Sequence, residues 1–317
     1  MTQQTNSFDS FEAIGNREQL ADKIWDVSIT ETPMLNAIPS GETKGTHPEW
    51  QTDALASASG SNAQLEGNIY SLSTTSPTTR VGTYTQISTK TFSITGTQEV
   101  VEKAGRASEV AYQQIKKTKE LKRDIETRIC GNYASVAGDA STARQTAGLQ
   151  AWLTTNVSRG TSGANGGFSS GIVSAATNGT QRTFTETLLK TVLQLAWAST
   201  GEVPDMALMS GTQKQTAAGF AGNATRYKDA DARSIMAGAD IYESDFGQVM
   251  LVPSIFTDSR SCLLVNKDYV EIDYLTGRKL VTDKMAKVAD SEDYAINTEF
   301  ALICKNQLAH GVVADLS

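Results

Sequence analysis

The chain has 317 residues, of which 39% are apolar, with a formal charge of −7 and an isoelectric point near 5.0. That balance allows one large domain or two smaller ones and argues against a dedicated nucleic-acid binder, which normally carries a basic face. The three cysteines, Cys130, Cys262 and Cys304, are scattered in neither a metal-ligand spacing nor a disulfide framework, which reads as a reducing compartment.

The first forty residues read as an arm with one short helix, capped at Asn16, with Leu20, Ile24 and Val27 on one face and a stop at Thr32-Pro33. Pro33-Met34-Leu35-Asn36-Ala37-Ile38-Pro39 then forms a small apolar plug or a core staple. Residues 50–91 come next and are almost uncharged; between Ala54 and Thr79 the only charged side chain is Glu66. So few apolar groups cannot offset the ordering entropy of so long a segment by folding alone. Its second half, Arg80-Val81-Gly82-Thr83-Tyr84-Thr85-Gln86-Ile87-Ser88, alternates like a strand. The expectation is an extended hairpin arm, ordered by lying on another molecule, which points to an assembly subunit rather than an enzyme.

Residues 89–95 alternate again, with Phe92 and Ile94 on one face. A helix is expected over 98–132, with a narrow stripe of Val101, Ala104, Ser108, Ala111, Ile115, Thr118, Ile125 and Ile129 interrupted near Lys122. About 35 residues of helix would span about 50 Å. Its outer faces mix signs, Lys116, Lys119 and Arg123 among them. Trp152 and Leu153 read as buried anchors, and 158–180, dominated by Gly, Ser, Asn and Thr, as a flexible loop. Thr183-Phe184-Thr185-Glu186 resembles a capping box before a helix over 188–199. A short buried strand follows at 205–209, then a helix over 212–220 ended by Gly222 or Asn223. Segments 241–245 and 248–253 form a hairpin about Phe246-Gly247. Strands at 262–265 and 269–274, a long antiparallel pair at 279–289 and 294–305, and His310-Gly311-Val312-Val313 close the chain. Helices and antiparallel strands without regular βαβ alternation give the class α+β.

The search for chemistry is largely negative. His47 and His310, the only two histidines, have no metal spacing and read as structural. Cys130 near a helix end reads as packing, with the contrasting reading a hydrolase that pairs it with His310. Gly160-Thr161-Ser162-Gly163-Ala164-Asn165-Gly166-Gly167 is neither a phosphate loop nor a dinucleotide turn. Arg226-Tyr227-Lys228 and Arg233 are interleaved with Asp229, Asp231 and Asp240, which suits salt bridges to a neighbouring subunit. No enzyme class, cofactor, metal or membrane segment is expected, and the N-terminus shows no secretory signal pattern.

The order of parts resembles the major capsid proteins of tailed double-stranded DNA phages, the HK97-like fold. Ile29-Thr30-Glu31-Thr32-Pro33-Met34-Leu35 and Thr46-His47-Pro48-Glu49-Trp50-Gln51-Thr52-Asp53 are similar to the arm-to-loop junction of one branch. Tyr242-Glu243-Ser244-Asp245-Phe246-Gly247-Gln248-Val249 with Val252-Pro253 resembles its hairpin, and Ala309-His310-Gly311-Val312 its last strand. The resemblance implies an N-terminal arm (1–44), an extended loop (45–95), a peripheral domain with a spine helix (96–147), an axial domain (148–274) and returning peripheral strands (275–317). It implies a virion shell of pentamers and hexamers assembled in the host cytoplasm. The implied partners are a portal protein, decoration protein and DNA packed without sequence preference. Candidate contacts between subunits are Trp50, Leu55, Leu65, Glu66, Tyr70 and Arg80 on the loop, Lys116, Lys119 and Arg123 on the spine, and Arg226, Lys228 and Arg233. An encapsulin-type compartment of the same fold is the alternative. Some relatives weld the loop to a neighbour through a lysine–asparagine bond; residues 54–79 hold no lysine, so that bond is not expected here. The absence of a long charged helical N-terminal region suggests a separate scaffolding protein.

Overall fold

The computed structural model describes residues 31–317 except 70, 71, 73, 221–240 and 288. The expected helix over 16–27, Tyr70 and the cluster of Arg226, Lys228 and Arg233 therefore lie outside the described residues. Pro33 opens α1 (Pro33–Ala37), followed by β1 (Ser40–Thr43) and the paired strands β2 (Glu49–Thr52) and β3 (Thr79–Gly82). β4 (Gln86–Thr95) runs into a short α2 (Gly96–Val100) and, after a break, α3 (Glu109–Cys130). Next come α4 (Leu149–Trp152), β5 (Val157–Ser158) and a small hairpin of β6 (Gly167–Ser169) and β7 (Ile172–Ser174). The chain continues through α5 (Glu186–Thr200), β8 (Met206–Met209), α6 (Gly211–Ala218), β9 (Ile241–Ser244), β10 (Gly247–Pro253) and β11 (Cys262–Val265). It ends with β12 (Val270–Leu275), β13 (Val281–Lys284), β14 (Ser291–Cys304) and β15 (Gly311–Val313). Mixed helices and mainly antiparallel strands make it an α+β fold.

β14 is the axis of a five-stranded sheet. β4 pairs along one edge of it, β12 and β13 in turn along the other, and β1 adds parallel to β12. The second sheet has six strands in the order β5-β15-β11-β8-β10-β9. β8 and β11 at its centre are buried on both faces, which is why their sequences are unbroken apolar runs. Met206, Leu208, Leu263 and Val265 face a core shared with Ile125 and Ile129 of α3, Ile272 of β12 and Leu302 of β14. Ala207, Met209, Cys262 and Leu264 face a second core, where α5 packs Leu189, Val192 and Leu193 at helical spacing. Gly201, at φ +76, ends α5 in the left-handed region.

Three expectations need correcting. The long helix is 22 residues, about 33 Å, not 35. It is interrupted from Val101, which is already extended at ψ 136, through Gly105 at φ +75, and α3 is capped afresh. Ser108 accepts the Ala111 N–H, and the Glu99 carboxylate accepts those of Glu109 and Val110 at 2.9 and 3.3 Å. Val101 and Ile115 of the expected stripe are exposed, and Leu121, Ile125, Ile129 and Cys130 form the buried apolar seam. The alternating run 80–88 is also divided, with β3 ending at Gly82 and β4 starting at Gln86 in a different sheet. Finally, 158–180 is not a loose loop. It carries β6 and β7 and closes on the buried Asp315, which accepts the N–H groups of Gly160 and Gly179. The plug at 33–39 is a core staple, with Met34 and Ile38 in the shared core.

Candidate assembly surface

The hairpin of β2 and β3 stands on a tightly held foot. Glu49 pairs with Gly82 and Trp50 with Val81 across the ladder, and Arg80 forms an ion pair with Glu49. Below the strands, the N–H groups of Thr83 and Thr85 donate to the carbonyls of Pro48 and Thr46. His47 stacks on Tyr84 with ring centroids 4.2 Å apart. Thr83 and Thr85 are buried, and the Thr85 hydroxyl donates to Glu299 at 2.7 Å. Glu299 is itself buried in β14 and accepts from Arg144 at 2.9 Å and from Arg278 at 3.2 Å. A buried carboxylate held by two guanidiniums and a hydroxyl fixes geometry, because removing a partner strands a charge in the interior. The Trp50 ring lies 5.5 Å from Trp152, which stacks on Phe168. Of the described loop candidates, Trp50 is thus the one seated against its own body.

Beyond Thr52 the chain leaves the body and returns at Thr79, with no helix or strand among the described residues between them. Leu55, Leu65, Ile69 and Leu72 are exposed by 99, 83, 88 and 100%. Burying one such side chain stabilises a fold by about 1.5–3 kcal/mol, so four left in water forgo roughly 6–12 kcal/mol. A turn near the middle of the segment, closed by the Asn68 N–H on the Leu65 carbonyl with Gly67 at φ +80, presents Leu65 and Ile69 on either side of the exposed Glu66. The foot is rigid and the segment above it offers apolar groups to whatever approaches.

The spine candidates are placed differently. Lys116 and Lys119 are exposed on α3, whereas the Arg123 guanidinium lies over the Phe256 ring, 5.6 Å from its centroid. Two residues that matter to the scaffold gave no signal in the sequence. One is Glu299. The other is Glu126, buried on α3, which accepts the N–H groups of Met34 and Leu35 at 2.8 Å each and so caps α1 from across the chain. Burial pushes its carboxyl above the ordinary range, against the lowering effect of those two bonds.

Cys130 and His310 share no site. The Cys130 thiol is buried against Met34 and Glu126, and burial first, then the Glu126 charge, pushes it well above the ordinary thiol value. His310 is buried beside β11, where Nδ1 accepts the Asn266 N–H at 3.2 Å, and burial pushes the imidazole down to about 4. A fully buried thiol, raised further by its carboxylate neighbour and with no imidazole beside it, is a packing residue. Among the described residues no group of three or more His, Cys, Asp or Glu is placed to hold a metal ion.

Comparison with known proteins agrees with a structural role. The profile of the SU10 major capsid protein matches residues 1–317. The major capsid protein of Escherichia phage Phieco32 is 34% identical over 127 residues, covering 40% of this chain and 36% of that protein. The chain thus spans about a third of that relative's length. Among solved structures, the capsid asymmetric unit of cyanophage A-1(L) superposes with a TM-score of 0.64 at 14% identity, covering 97% of this chain and 98% of that one. The holo-SrpI encapsulin complex from Synechococcus elongatus PCC 7942 superposes with a TM-score of 0.58 at 12% identity, covering 95% and 92%. At these identities the superpositions establish the fold alone, and that fold is the HK97-like one.

Proposed function

The chain belongs to the SU10 major capsid protein family, and on that premise we propose that it is the structural subunit that self-assembles into the icosahedral shell around a phage's double-stranded DNA genome. The observation that carries this reading is the extended segment 53–78, held rigidly at its foot while four large apolar side chains stand in water. In a shell those groups lie on an adjacent copy, and each contact recurs at every subunit. In this reading 1–44 is the arm, 45–95 the extended loop, 96–147 with 275–317 the peripheral domain, and 148–274 the axial domain around pentamer and hexamer axes. Leu55, Leu65, Glu66 and Tyr70 meet the neighbour on one side. Lys116, Lys119, Arg123, Arg226, Lys228 and Arg233 serve as its charged contacts.

The subunit acts without catalysis, by shape and by burial. A separate scaffolding protein directs assembly in the host cytoplasm, a portal protein occupies one vertex, a decoration protein binds outside, and DNA is packed without sequence preference. The encapsulin alternative has the fold in its favour, whereas the family match over the whole chain favours the phage shell. Negative-stain microscopy of the purified protein, alone and with a scaffolding protein, tests this. Closed shells are expected. A protein that stays monomeric at high concentration under both conditions contradicts the reading.

A further inference from the structure

β4 is paired along one edge only. Its ten residues run against β14 without a bulge, from Gln86 opposite Phe300 to Thr95 opposite Ser291. Among the described residues no other strand pairs with β4, and no backbone hydrogen bond leaves its second edge. A cleft of about 540 Å³, lined by Phe92, Ile94, Gln98, Glu109 and Gln113, opens beside its C-terminal half. The other strands at sheet edges are blunted. β1, β2, β3, β5, β6, β7, β9 and β13 have four residues or fewer. Of these, β1, β2, β3, β9 and β13 also carry charged side chains. Short or charged edges resist pairing with another chain.

β4 has neither safeguard. It contains no proline and no acid. Its one cation, Lys90, is turned onto α3, where the ammonium meets Asp124 at 2.7 Å. Its outward face, Ile87, Thr89, Thr91, Ser93 and Thr95, is exposed, uncharged and built from residues that mostly favour strands. An unguarded edge of this length is a template for strand addition. Among the described residues, the edge strand of a second copy that matches it in length and neutrality is β4 itself, since every other one is short. We infer that two subunits join edge to edge through β4, antiparallel about a two-fold axis, so that their five-stranded sheets become one. Such a contact is self-complementary, and with Lys90 tied to Asp124 no unpaired like charges face each other across the seam. The inference rests on the shell reading above and deepens it, because an icosahedral shell contains two-fold axes and this contact occupies one class of them.

The three native cysteines are buried, so Thr89→Cys, Thr91→Cys and Ser93→Cys place accessible thiols on the outward face of β4. Facing residues of an antiparallel pair stand about 4.5–5.5 Å apart at Cα, within reach of a disulfide. When shells of these variants, alone or mixed two at a time, are oxidised, at least one combination should give disulfide-linked dimers in high yield. Thr91→Lys sets two cations at the seam and should leave roughly tenfold more free subunit after assembly. Mixing it with Thr91→Glu should restore assembly. No linked dimer in any combination overturns the inference, and so does unchanged assembly of Thr91→Lys. If Thr91→Lys does not fold, the disulfides decide alone. If wild-type protein forms no shells, it is the shell reading that fails, and oxidation of the same mixtures as concentrated subunit decides the pairing.

Discussion

Two segments of this chain look alike on paper and end up opposite in the structure. Residues 54–79 and 158–180 are both long, nearly uncharged and built from Gly, Ser, Thr, Asn and Ala. The second is drawn into the body. Gly160 sits where an added Cβ would come within 2.0 Å of the Thr180 carbonyl oxygen, and Asp315 gathers the N–H groups of Gly160 and Gly179. The first, among its described residues, is tied to the body only near its two ends: around Gly60 no atom lies within 4 Å of an added Cβ, and Leu55, Leu65 and Leu72 stand in water. Low complexity is therefore two different things. In one segment glycine permits close backbone packing, and in the other small residues accompany a few leucines left in water.

The largest expected effect comes from removing the outward segment. Replacing residues 54–78 by a short turn should abolish shell formation, seen as loss of particles in sedimentation, while the subunit still unfolds cooperatively with little change in midpoint. A subunit that instead loses its fold would mean that the arm belongs to the body.

A second prediction concerns the body's acid response. His310 has its folded-state value pushed down to about 4 from an ordinary 6.5. The unfolded chain therefore takes up a proton first. This contribution is fully present above pH 6.5 and falls as the pH drops towards 4, by about 3 kcal/mol in all. Urea unfolding of the monomeric deletion variant between pH 7 and pH 4.5 should show this loss. An NMR titration in which His310 protonates near 6.5 instead of near 4 would contradict it.

Smaller effects separate the two glycine-bearing segments directly. Gly160→Ala should cost about 1–3 kcal/mol of subunit stability, because a backbone carbonyl must move. Gly60→Ala should change it by less than about 0.5 kcal/mol. Equal effects at the two positions, read by chemical denaturation, would erase the distinction.

What the sequence made legible follows the same division. β8, β11, α5 and the β9–β10 hairpin were readable because each is specified locally, by an apolar run, a helical spacing or a turn dipeptide. The break between Val100 and Glu109 was harder, since the pattern of apolar residues continues across it, and only the caps from Ser108 and Glu99 reveal a new helix start. Glu126 and Glu299 were invisible. Each is an acidic residue whose partners lie far along the chain: Met34 and Leu35 for the first, Thr85, Arg144 and Arg278 for the second. The ordering of 158–180 was missed for the same reason, because Asp315 organises it from more than a hundred residues away. The exposure of the segment between β2 and β3 was the easiest feature to read, since so few apolar residues over so long a stretch announce themselves by composition.

Amide hydrogen exchange over residues 54–69, compared between free subunit and assembled shell, addresses the docking of the loop most directly. The expected result is fast exchange in the subunit and marked slowing in the shell, strongest around Leu65 and Ile69. Identical rates in both states would mean that the loop covers no neighbour.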